Sequence, residues 1–150
     1  MKKKKFNLKF VLKSLKIAVA IFFLFHPILL SAPEVPKYQG ETEKFLKTII
    51  DGNVDKAYDD LFKDSPILKL KPQAIDITKQ QTHLLIGLYG KRLNFELIKK
   101  QDYGSSVIRL IYIIKTENIP IAFEIYFYKP YDQWLPASVN FEDTFALLSD

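Results

Sequence analysis

The chain has 150 residues, a formal charge of +5 from 22 Lys and Arg against 17 Asp and Glu, and no cysteine. Seven of those lysines stand in the first 16 residues and no acidic residue precedes Glu34, so from Pro33 onward 15 basic residues face 17 acidic ones. A mildly acidic body excludes reading the pI of 9.2 as a nucleic-acid footprint, and the missing cysteine excludes a disulfide framework, a lipidated cysteine and a thiol nucleophile.

Met1 to Lys16 is a basic region, followed by an uncharged core from Ile17 to Phe25 that continues to Leu30, which is the pattern of an export signal. The uncharged run from Ile17 to Pro33 is 17 residues long and is interrupted by Pro27, whereas a spanning helix needs about 20 apolar residues. Residues 1–32 are therefore expected to be a leader removed near Ala32, or an anchor kept in the inner membrane by residues 17–32. Either way the protein is expected to be exported, to the periplasm or outside the cell, touching a membrane only through an uncleaved leader. Residues 33–40, with Pro33, Pro36 and Gly40, read as a linker. Residues 41–150 suffice for one domain that buries about two-thirds of its unfolded surface.

Glu41 to Phe62 carries apolar residues at steps of three and four, from Phe45 and Ile49 to Tyr58 and Phe62, and predicts a helix. Gly52 and Asn53 predict a bend, with Asn53 capping the second piece. A further helix is predicted from Pro72 to Tyr89, stopped by Gly90, with Ala74, Ile77, Gln81, Leu84, Leu85 and Leu88 as its core face and Gly87 packing closely against a strand. After Gly90 the period changes to two. Leu93 to Leu97, Val107 to Thr116, Ile119 to Tyr128 and Trp134 to Phe141 predict an antiparallel meander, with Glu142 to Leu148 as strand or short helix. A hairpin centred on Glu117 and Asn118 pairs Ile114 with Ile121, Tyr112 with Phe123, Leu110 with Ile125 and Ile108 with Phe127. A slip of one residue would bury Arg109 and Glu124 with the apolar set.

The segments Phe45 to Phe62 (FLKTIIDGNVDKAYDDLF), Gly87 to Arg92 (GLYGKR) and Tyr128 to Trp134 (YKPYDQW) together resemble the NTF2-like superfamily of small exported bacterial proteins. The resemblance implies an α+β fold in which N-terminal helices pack on a curved antiparallel sheet to form a cone, often with a pocket at its wide end. Ketosteroid isomerase and scytalone dehydratase belong to that superfamily, as do many domains without known activity, so the fold implies no reaction. A pocket in this chain is expected to use Tyr58, Gln81, Tyr112 and Trp134. Tyr112 is the lone polar source expected on the wrapped sheet face, and a phenol alone is a poor general base at neutral pH. No catalytic residue is assigned.

His83 shares a helical face with Asp76, Lys79 and Gln80 and reads as solvated. With no second body histidine and no cysteine it makes no zinc site. Asp51, Asn53, Asp55 and Asp59 fit four positions of a calcium loop, but Lys56 and Phe62 replace the required Gly and Glu. Phosphate-binding glycine loops and nucleophile elbows are absent, and no metal or cofactor is expected. The outer sheet face is expected to hold Arg109 between Glu96 and Glu124, flanked by Ile111, Tyr126 and Tyr128. Its mixture of apolar and aromatic residues predicts an interface for a homodimer or another envelope protein. The expected function is a non-catalytic binding or interaction domain of the bacterial cell envelope, the alternative being a small apolar-ligand carrier or an isomerase- or dehydratase-like enzyme.

Overall fold

The computed structural model describes residues 35–144 and 146, so the segment expected to be a leader and the end of the tail lie outside the described residues. Among the described residues four helices precede four strands: α1 Lys37–Ile50, α2 Val54–Phe62, α3 Ile67–Leu70, α4 Pro72–Leu88, then β1 Arg92–Tyr103, β2 Val107–Thr116, β3 Ile121–Tyr128 and β4 Leu135–Glu142. The strands form one antiparallel sheet in chain order. The protein is thus α+β, as expected.

The first helix starts at Lys37, inside the stretch read as linker, because Pro36 fits the position before a helix and Tyr38 and Thr42 add a buried turn. The bend at Gly52 is where it was expected, but its chemistry differs. Gly52 takes φ of +90°, its N–H reaches the Ile49 carbonyl at 2.9 Å, and the Asn53 N–H reaches the Thr48 carbonyl at 3.0 Å. This glycine-based termination satisfies the last helical carbonyls, and the Asn53 side chain makes no cap. Arg92 of β1 adds a further donor, its Nε 3.0 Å from the Ile50 carbonyl.

The β2–β3 register is the expected one, with Ile108, Leu110, Tyr112 and Ile114 opposite Phe127, Ile125, Phe123 and Ile121. All eight side chains are buried and, with Val139 of β4, form the sheet's contribution to the buried core. Phe45, Leu46 and Ile49 of α1 and Ala57, Tyr58 and Phe62 of α2 cover them. Phe45 stands edge-on to Tyr58 and Phe123 at centroid distances of 5.0 and 6.1 Å. On β1 the apolar alternation carries less weight: Leu93 and Leu97 are exposed, and only Phe95 is half-buried, against Tyr112. A bulge between Leu97 and Lys99 shifts the register and puts Gln101 opposite Arg109.

α4 starts at Pro72 as expected and ends at Leu88, one residue early, but it is rotated from the expected facing. Its core side is Ile75, Thr82 and Ile86, with Leu85 half-buried, while Ala74, Ile77, Gln81, Leu84 and Leu88 face outward. The two stripes differ by roughly a third of a turn. Polar contacts fix the choice: the Tyr58 hydroxyl meets Thr82 Oγ1 at 2.8 Å, Lys79 pairs with Asp59, and His83 Nε2 lies 3.3 Å from Asp55. Gly87, read as a close-packing glycine, is exposed, with nothing within 4 Å of the place a Cβ would take.

This rotation makes a stability comparison direct. Ile86→Ala should cost about 2–5 kcal/mol, as deleting buried branches does, whereas Leu84→Ala should stay within about 0.5 kcal/mol of the parent. Gly87→Ala should stabilise by about 0.5–1 kcal/mol through helix propensity. Urea denaturation followed by circular dichroism measures all three, and the reverse order for the first two would place α4 the other way round.

Candidate functional site

A catalytic or carrier reading of this fold needs free polar groups in an open interior. Tyr58 and Tyr112 do point inward from α2 and β2, and both are buried. Each hydroxyl is already engaged. Thr82 Oγ1 donates to the Thr78 carbonyl at 2.8 Å, which leaves its oxygen to accept from the Tyr58 hydroxyl. Tyr112 donates to Glu43 Oε1 at 3.2 Å, and Gln39 Nε2 donates to the same oxygen at 3.0 Å. Burial pushes the Tyr58 phenol well above its ordinary value of 10.0, against a smaller lowering by Thr82. Burial first and the Glu43 charge second do the same to Tyr112. Two phenols held neutral and hydrogen-bonded can anchor helices to one another and to the sheet. They offer no base.

Glu43 and Thr82 escape sequence reasoning because each belongs to a helix face decided by its neighbours. The available signal was spacing: Gln39 and Glu43 are one turn apart on α1, and Thr82 stands one turn from Thr78 and Ile86.

The other two expected pocket residues lie elsewhere. Gln81 is exposed on α4, one position from Thr82 and turned away from the interior. Trp134 is half-buried, with its ring edge-on to Tyr38 at 5.7 Å and Lys129 Nζ 5.7 Å above it. The four do not line a common cavity. Two hollows among the described residues are lined by none of the four. One of about 210 Å³ lies between α1 and α2 beside Lys44, Thr48 and Asp60. An apolar groove of about 340 Å³ runs between Ile67 and Leu70 on one side and Tyr128, Pro130 and Leu135 on the other.

The outer sheet face carries a polar network where an ion row was expected. Arg109 Nε donates to Glu124 Oε1 at 2.6 Å and a guanidinium NH donates to Gln101 Oε1 at 3.3 Å. Tyr126 donates to Glu124 Oε1 at 3.2 Å and Asn140 to Oε2 at 3.0 Å. Glu96 does not take part: it lies opposite Ile113 and pairs with Lys115. Arg109, Glu124 and Ile111 are only 8%, 7% and 1% exposed, so the middle of this face is covered within the single chain. Tyr126 is half-buried, and of the residues expected at an interface here only Glu96 and Tyr128 are exposed.

An exposed apolar stripe runs along α4. Ile77, Leu84 and Leu88 are 53%, 72% and 69% exposed, on the same side as Ala74 and Gln81. Sequence reasoning identified this stripe and assigned it to the core.

Among the described residues no group of three or more His, Cys, Asp or Glu is placed to hold a metal ion, and no helix is long and apolar enough to cross a membrane. The chain matches no protein-family model, no curated protein and no solved structure.

Two outcomes follow from these networks. Arg109→Met leaves the Glu124 carboxylate buried without its cation and should cost about 3–5 kcal/mol, while Arg109→Met with Glu124→Leu should regain most of that. Chemical denaturation of the single and double variants reads the difference. For the tyrosines, the folded value is raised above the unfolded one, so their contribution is complete below pH 10 and declines above it, where the unfolded chain releases protons that the folded chain keeps. Melting curves taken at rising alkaline pH should show this fall, and Tyr58→Phe should flatten it.

Proposed function

We propose that this chain is an exported, non-catalytic interaction domain of the bacterial cell envelope, built on an NTF2-like cone. The order of helices followed by a four-strand meander, with apolar pairs facing α1 and α2, supports the cone. The basic leader with its apolar core supports export. One observation carries the interaction reading: α4 turns Ile77, Leu84 and Leu88 to solvent. Large contiguous apolar patches on a folded surface mark places where something docks. The interior supports the non-catalytic half of the reading, because its buried hydroxyls are consumed by contacts within the chain.

Full-length protein carrying a photo-crosslinking residue at position 84 or 88 tests this in cells. It should fractionate with the envelope and give a discrete adduct on irradiation, while the same residue at exposed Asp64 should give none. Protein that stays in the cytoplasm with Met1 intact, or that yields no adduct from α4, would defeat the proposal.

A further inference from the structure

The outward residues of α4 follow a fixed spacing. Ala74, Ile77, Gln81, Leu84 and Leu88 are separated by three, four, three and four positions, the a and d steps of a heptad. Four of the five are apolar, and the polar one stands in the middle. α4 is a 17-residue helix already held to the body by Thr82, Ile86, Lys79 and His83. A seam this short would not hold two free peptides together, because helix formation itself is marginal at such lengths. Here that cost has been met by folding, so association has only to bring two formed surfaces into contact.

Resting on the interaction reading above, we propose that the occupant of this face is a second copy of the same chain, the two α4 helices packing parallel and in register with Gln81 facing Gln81 of the other copy. Charge favours self-pairing. The positions flanking the seam are Gln73, Gln80 and Gly87 on one side and Thr78 and Leu85 on the other, all uncharged. Two like surfaces can therefore approach without repulsion, and a charged foreign segment finds nothing to select it. Gln81 chooses the direction. In a parallel pair an a residue meets its own counterpart, and two glutamine amides can each donate to and accept from the other. An antiparallel pair would set each amide against an aliphatic d residue of the other copy instead, leaving a polar group desolvated among aliphatic side chains. Lipid is a poorer occupant for the same reason, since acyl chains give the Gln81 amide no partner.

Size sets the strength. Two helices meeting over about four turns bury on the order of 1,000 Å² in total, the lower end of specific interfaces, so the affinity is expected in the micromolar range.

Since the chain has no cysteine, single-cysteine variants report the seam without background. Full-length Leu84→Cys and Ile77→Cys, treated in cells with a short bismaleimide, should give a covalent dimer of twice the chain mass. Asp76→Cys, also exposed on α4 but off the seam, should remain monomeric. Adding Leu84→Glu to Ile77→Cys should abolish the dimer while leaving the circular dichroism melt unchanged, which separates lost docking from lost folding. Dimer at position 76 equal to that at 84, or none at 77 and 84, overturns the inference. In the second case a photo-adduct of another mass from position 84 would keep the interaction reading while removing the second copy, and no adduct would remove both.

Discussion

A tyrosine hydroxyl carried into an apolar core must find a hydrogen-bond partner or cost several kcal/mol. In this protein that requirement falls on Tyr58. Its ring is needed where it is, packed edge-on against Phe45 and stacked with Phe62 beneath the sheet. The partner is Thr82, reached only if α4 turns its Ile75, Thr82 and Ile86 stripe inward. The richer aliphatic stripe is then left outside, so the surface that gives the domain its proposed role is a consequence of how one phenol is satisfied. Lys79 with Asp59 and His83 with Asp55 hold the same rotation from the rim. These exposed pairs add little energy but agree in direction.

The sheet has two faces with different physics. Toward the helices, β2 and β3 present only apolar and aromatic side chains, and the register that achieves this is enforced because a one-residue slip would bring Arg109 and Glu124 into the core. On the other side those two charges are nearly as inaccessible, and what makes that tolerable is pairing with further hydrogen bonds: Glu124 accepts from Arg109, Tyr126 and Asn140. No buried side-chain polar atom among the described residues lacks a partner. Such a network specifies the packing of the face more than it stabilises it.

Much of this was legible in the sequence. The period of 3.6 before Gly90 and of two after it identified the element order, and the run of apolar residues at alternate positions fixed the β2–β3 pairing, because only one register separates apolar from charged residues. Gly52 marked the bend because a positive φ is cheap only for glycine. Pro72 and Gly90 marked the ends of α4 for equally local reasons. The β1 assignments were less secure, since an edge strand is paired on one side only and the bulge beyond Leu97 breaks its alternation.

What the sequence could not decide was orientation between elements that are apolar on more than one side. α4 carries two stripes at helical spacing, Ala74–Ile77–Gln81–Leu84–Leu88 and Ile75–Thr82–Ile86, and hydropathy favours the first. Only the tertiary structure brings Tyr58 within reach of Thr82 and Asp59 within reach of Lys79, contacts 24 and 20 residues apart that no local pattern encodes. The same holds for Tyr112, whose partner Glu43 lies 69 residues away. Sequence alone therefore determined the three longer helices, the meander order and the pairing of the central two strands, because those follow from local backbone propensity and the period of burial, whereas the short helix α3 and the full length of β1 carry no such period. Which face of α4 meets water was set by the tertiary structure, because that choice depends on satisfying buried hydroxyls across helices.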